Sequence, residues 1–238
     1  METIETNNTF VSDLSTGDNY SKGWKLIFTT FIELLVVTLV YAVIQIPTNG
    51  LQFKSEGLHG LHGFEWYLIP IVLLAIGYGI FISGPIGYSV QWVFLKAVRR
   101  EKIEIKDMFA VFDRNYWNAV IAGLVTTVII VIGILMLIVP GIIFACRLAF
   151  VPFLVIDQKM EALDALKASW AMTKGHGWTI FFMGLLAFFI VIAGLIVLIF
   201  GVLISAMWIS AAFAILYHSV YLKQGIPATN GDYIQKAE

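Results

Sequence analysis

Two formal charges, Glu33 and Arg147, fall inside long apolar stretches of this sequence. An acid and a base in such surroundings are the residue types from which intramembrane ion pairs, proton relays and substrate sites are built. At 1.5 Å per helical residue, Glu33 lies about 12 Å beyond Lys25 and Arg147 about 15 Å before Asp157, so the two depths nearly coincide. An isolated charge at that depth costs at least ~3 kcal/mol on insertion scales, which a Glu33–Arg147 ion pair would relieve. The alternatives are separate snorkelling of the two side chains, or Arg147 bound to carbonyls freed near Pro140. His59, His62 and Glu65 supply imidazole and carboxylate, the groups that bind zinc, but a short glycine-broken loop without a fourth ligand implies a solvated loop and no metal. His218 reads as an interfacial or packed histidine, and Cys146, in an apolar run, as a small packing residue. Metalloprotease helix motifs, phosphate-cradling glycine loops and nucleophile elbows are missing, so no catalytic residue and no cofactor is expected and the chain reads as a non-enzyme.

The elements that must position these residues follow from composition. Hydrophobic residues make up 59% of the 238 and charged residues 13%, far from the usual balance of about half apolar and a quarter charged. With a mean hydropathy of +0.86, the expectation is an all-α, polytopic transmembrane helical bundle. A net charge of -1 without a dense basic run argues against nucleic acid as a partner, and a single cysteine excludes an internal disulfide. Residues 1–24 carry acids ahead of Lys22, the reverse of a signal peptide, and read as a flexible tail. The membrane domain, 25–222, divides into spans at about 25–47, 66–95, 118–139, 142–157, 178–200 and 202–222. A kink is expected near Gly84-Pro85, and turns at Pro140-Gly141 and Gly201. Residues 223–238 read as a second tail.

Lys and Arg set the orientation, because short cytoplasmic loops hold an excess of them. Six spans as three helical hairpins put Lys22 and Lys25, the group from Lys96 to Arg114, Lys159, Lys167 and Lys174, and Lys223 and Lys236 on one side. Only Lys54 falls on the other, so both termini are expected in the cytoplasm. Two cytoplasmic connections, about 103–115 and 159–174, read as amphipathic interfacial helices. Ile105, Met108, Phe109 and Phe112 oppose Lys106, Asp107 and Asp113 in the first; Met160, Leu163, Leu166 and Trp170 oppose Asp164 and Lys167 in the second. A duplication follows: Trp117 precedes Gly123, Gly133 and Gly141, as Trp178 precedes Gly184, Gly194 and Gly201, at offsets of +6, +16 and then +24 or +23.

From Pro140 to Trp178 the chain resembles the membrane domain attached to some glycerophosphoryl diester phosphodiesterases and its free-standing, mostly uncharacterised bacterial integral-membrane relatives. The resemblance rests on Pro140-Gly141, Arg147 and the proline after it, Asp157, Glu161-Ala162, Ser169-Trp170 and Gly175 through Trp178. Lys106-Asp107-Met108-Phe109 is similar to a family segment too, and the likeness covers roughly 80–222. Where relatives often have proline in the last span, this chain has Ala206-Met207-Trp208. No segment here could hold a catalytic barrel of ~250 residues, so the resemblance implies an architecture without an activity. The expected function is to organise lipids or partner proteins in the bacterial inner membrane, with lipids, other membrane proteins or a second copy as partners. A carrier or flippase for a lipid-like molecule is the alternative.

Overall fold

The structure, a computed structural model, describes residues 10–47, 68–196 and 198–224, and these are all-helical. Among the described residues, five helices are long and apolar enough to cross a membrane: Pro70–Val98, Tyr116–Met136, Ile138–Asp157, Gly177–Ile196 and Gly201–Lys223. A sixth crossing exists if α1 (Thr16–Thr29) and α2 (Phe31–Ile44), bent by 98° from one another, count as one.

That bend corrects the expectation of a single first span over 25–47. The hydroxyls of Thr29 and Thr30 both donate to the Leu26 carbonyl, at 2.8 and 3.0 Å, and this local bonding competes with continuation of the helix. The expected flexible tail is corrected over its described part as well. Ser15 caps α1 by accepting from the Asp18 N–H at 3.2 Å, and Tyr20, Gly23 and Ile27 repeat along one buried face. A Cβ on Gly23 would sit 3.2 Å from the Ala212 nitrogen, so α1 lies close against the last helix. Ahead of it, the Phe10 N–H donates to the Val98 carbonyl at 3.2 Å and the Ser12 N–H to the Ser219 hydroxyl at 2.8 Å. Residues 1–9 lie outside the described residues.

α3 (Leu68–Tyr78) passes through one wide π-helical turn, Gly79–Ser83, into α4 (Gly84–Val98). A kink was expected near Gly84-Pro85; just ahead of the proline the structure has this π-helical turn, within one helical segment from Pro70 to Val98. Pro85 has no N–H for the carbonyl of residue 81, and the Tyr116 hydroxyl donates to that Phe81 oxygen at 2.8 Å instead. After α4 come a 3-10 turn, Ile105–Phe109, and a short helix α5 (Ala110–Arg114), where one continuous amphipathic helix was expected. Lys96 grips Asp107 at 2.7 Å, and the Ser89 hydroxyl accepts the Val111 N–H at 2.8 Å. Those bonds hold the segment to α4 and break its helical continuity.

α6 (Tyr116–Met136) turns back at Leu137, whose backbone is extended, into α7 (Ile138–Arg147). The turn thus precedes Pro140-Gly141, correcting the expected position. Proline needs no donor in a helix's first turn and so opens the returning helix. Gly141 serves packing: a Cβ there would lie 2.8 Å from the Ile134 nitrogen. α10 (Gly177–Ile196) and α11 (Leu198–Gln224) repeat this arrangement, because a Cβ on Gly194 would lie 2.7 Å from the Gly201 carbonyl oxygen. Gly201 accordingly belongs to the start of α11, after the turn it was expected to form. The aligned glycines of the duplication make the same close approach in both hairpins. Between the hairpins lie α8 (Val151–Asp157) and α9 (Ala162–Met172). The core gathers α4, α8, α9 and α11 around Phe94, Phe150, Leu154 and Tyr217. Lys223 and Gln224 continue α11, and 225–238 lie outside the described residues.

Candidate functional site

The expected Glu33–Arg147 ion pair does not form; among the described residues no ion pair includes either one. Both depth estimates assumed unbroken helices. The break at Thr30 puts Glu33 in the first turn of α2, exposed, where a carboxylate suits the positive end of the helix dipole. Residues 148–150 form a turn within the span Ile138–Asp157, so Arg147 sits in the last turn of α7 and Asp157 at the end of α8.

The buried ionic centre lies elsewhere, between Arg99 and Asp157. Arg99 Nη1 and Nη2 donate to the two carboxylate oxygens at 2.6 and 2.7 Å, the bidentate fork that gives arginine–carboxylate pairs their strength. Asp157 Oδ2 also accepts from Gln158 Nε2 at 2.7 Å and from the Tyr217 hydroxyl at 3.0 Å. The side chains of Arg99 and Asp157 are 18% and 4% exposed. Burial works to lower the Arg99 pKa, but the hydrogen bonds and negative charge of Asp157 outweigh it and hold the guanidinium above its ordinary range. Trp92 supports the knot, with Arg99 at 5.8 Å and Arg114 at 4.6 Å from its ring centroid. Phe153 stacks on Tyr217 at 4.8 Å. Three elements, the end of α4, the end of α8 and α11, are therefore fastened at one point. A carboxylate with this many donors is committed to structure and has little capacity left for acid–base work.

Beside Tyr217 in sequence, His218 is buried, and neither ring nitrogen has a hydrogen-bond partner. Asn115 ties the α8–α9 corner to the start of α6 by donating to the carbonyls of Val155 and Met160 at 3.2 and 2.7 Å.

Arg147 forms a second site. A cleft of about 510 Å³ opens between α7 and α10, walled by Ile142, Ile143, Cys146, Trp178 and Phe181 with Arg147 at its edge. The guanidinium lies 5.6 Å from the Trp170 ring centroid, and its Nη1 is buried without a hydrogen-bond partner among the described residues. The backbone beneath it is fixed: Ser169 Oγ donates to the Arg147 carbonyl at 2.8 Å and Thr173 Oγ1 at 3.3 Å. A neighbouring cavity of about 340 Å³ shares Cys146 as a wall, and Gln91 and Ser210 also line it. The Gln91 Oε1 atom is buried and unpartnered.

The residues of the family resemblance meet at these two places. Asp157 is in the knot, Arg147 and Trp178 line the cleft, Trp170 lies against the Arg147 guanidinium and Ser169 holds the Arg147 carbonyl. Pro140 and Gly141 start α7. Glu161 caps α9 with its backbone carbonyl, which accepts the Ala165 N–H at 2.9 Å, and the Ala162 N–H donates to Asn118 Oδ1. Gly175, at φ +89°, occupies the left-handed region that closes α9 and lets the chain enter α10. His59, His62 and Glu65 lie outside the described residues. Among those described, no group of three or more His, Cys, Asp or Glu residues could hold a metal ion. Sequence reasoning missed Arg99 as a site residue, having counted it only as a loop charge. Its position four residues beyond the apolar stretch 66–95, about one helical turn, like that of Asp157 at the end of another, was the available signal.

No family model, no curated protein and no solved structure matches the chain.

Proposed function

We propose that this chain is a six-span protein of the bacterial inner membrane, arranged as three hairpins with both termini cytoplasmic, and that it organises lipids or partner proteins without catalysing a reaction. The resemblance to the phosphodiesterase membrane domain and its free-standing relatives, together with the one-sided Lys and Arg distribution, supports the family and the orientation. The observation that carries the functional reading is the division of the two connecting segments into a locked face and an open one. Met108 and Val111 are fully buried, while Ile105 is 61% exposed and Phe109 and Phe112 also face outward. In the second segment Met160 and Leu166 are buried, and Leu163 and Trp170 are exposed. Large apolar side chains held outward on a fixed base, level with acidic and basic residues, suit the headgroup boundary of a bilayer.

Topology is tested in a Cys146→Ala background by introducing cysteine at Gly60 or Gly231. Labelling from outside at the first and from inside at the second is expected, and labelling of both from one face refutes the arrangement. Replacing Phe109 and Phe112 together by serine tests the open face. The double variant should stay folded, since both rings are exposed, and should retain fewer co-purifying lipids in mild detergent. Unchanged lipid retention removes the reason for assigning the face to lipid.

The cleft and the neighbouring cavity favour carriage as a second reading, because they share Cys146 as a wall and the cavity adds the polar Gln91 and Ser210 to its lining. Protein-dependent transfer of a fluorescent phospholipid between vesicle leaflets would favour carriage, and no transfer would favour the organiser.

A further inference from the structure

We propose that the cleft between α7 and α10 is a binding site for one anionic phospholipid, its phosphate on Arg147 and one acyl chain along the apolar wall. The inference rests on the reading of the chain as a membrane protein that gathers lipid, and goes beyond it by naming the residues and the lipid class.

Three observations support it. A guanidinium donor is buried with no acceptor from the described residues, although its backbone and its ring partner are both in place. Native structures rarely leave such a donor unpaired, and arginine's fork suits phosphate oxygens. The wall beside it, from Ile142 and Ile143 to Phe181, is aliphatic and aromatic, with Arg147 its single formal charge. Hydrocarbon suits that wall, and an anion suits the charge at its edge, so the matching molecule carries both. Finally, the cleft includes Gly177 and Trp178, the first two residues of α10, and Trp178 is 76% exposed. Tryptophan at the start of a spanning helix favours the headgroup level, and Arg147 lines the same cleft as Trp178. The cleft's 510 Å³ falls within the range of ligand sites, about 300–1,000 Å³.

The test titrates delipidated protein in neutral detergent with dioctanoyl-phosphatidylglycerol or dioctanoyl-phosphatidylcholine and counts retained lipid by native mass spectrometry. Wild type should hold one phosphatidylglycerol about tenfold more tightly than phosphatidylcholine, because both offer a phosphate to Arg147 but the choline cation offsets the attraction of the second for the guanidinium. Arg147→Gln should abolish that preference and Arg147→Lys should keep part of it. Ile143→Trp leaves the guanidinium intact but fills the cleft, and should weaken both lipids; it decides the matter if Arg147→Gln fails to fold. Millimolar inorganic phosphate should not displace the lipid, whereas displacement would identify a plain anion site and overturn the proposal. Wild-type lipid preference in Arg147→Gln, or unchanged binding in Ile143→Trp, also overturns it, while continued lipid retention leaves the organiser reading standing. If wild type retains neither lipid, both readings fall together.

Discussion

Removing one partner of the Arg99–Asp157 knot should destabilise the fold more than removing both. In Asp157→Leu, Arg99 keeps its charge with both fork hydrogen bonds gone, and Gln158 and Tyr217 lose their shared acceptor. Breaking a buried pair from one side typically costs ~3–5 kcal/mol, and the lower end applies here because Arg99 is 18% exposed. In Arg99→Met the carboxylate is stranded, yet it retains the Gln158 and Tyr217 donors, so its loss should be the smaller of the two. Combining the substitutions removes both charges and leaves mainly the Tyr217 hydroxyl without an acceptor, a penalty of ~1–3 kcal/mol. Independent sites would instead give a double loss of ~6 kcal/mol from two single losses of ~3. Unfolding by a denaturing detergent in mixed micelles, followed by circular dichroism, separates these outcomes. Additivity of the two single losses would refute the knot as a coupled unit. Raising ionic strength should change the wild-type value little, since buried pairs escape most screening.

Alanine at Gly141 should destabilise the α6–α7 hairpin by ~1–3 kcal/mol, because its Cβ would press on the Ile134 backbone at 2.8 Å. Alanine at Gly184 meets nothing within 4 Å and should be neutral or slightly stabilising; equal effects in the same unfolding assay would contradict the close-approach argument. Glu33→Gln should change stability by no more than ~0.5 kcal/mol, and its combination with Arg147→Met should be additive. Non-additivity in that cycle would restore the ion pair that the bend at Thr30 separates.

The long uncharged stretches made most of the helices legible, because nothing else satisfies so many apolar residues and their backbone groups together. What stayed hidden was where helices stop. Thr29 and Thr30 carry no strong breaker signal, and their effect depends on both hydroxyls choosing the Leu26 carbonyl. The N-terminal segment looked like a tail because its anchors are polar and distant, as with Ser12 on Ser219. Of the candidate site, Arg147 was legible as an anomaly in an apolar run, but its surroundings were not. The depth argument chose Glu33 as its partner, and that argument holds only for helices that continue.

The knot and the cleft are two ends of one support. Asp157 closes α8, and Arg147 lies just before α8 begins, so fastening Asp157 to Arg99 and Tyr217 also fixes the base from which α7 rises. α9 returns along this base, and Ser169 and Thr173 hold the Arg147 carbonyl. Within each duplicated hairpin, glycine contacts bring the two helices to backbone distance, Gly133 on Gly141 and Gly194 on Gly201. Sliding inside either hairpin would force those backbones into collision. The wall between α7 and α10 has no such contact and is the open side of the cleft. Any movement that admits or releases an amphipathic molecule must therefore separate one hairpin from the other at that wall, with Arg147 on its fixed edge. An organiser would keep the wall in one position with lipid bound, whereas a carrier would have to widen it until the cavity beside Gln91 joined the cleft past Cys146.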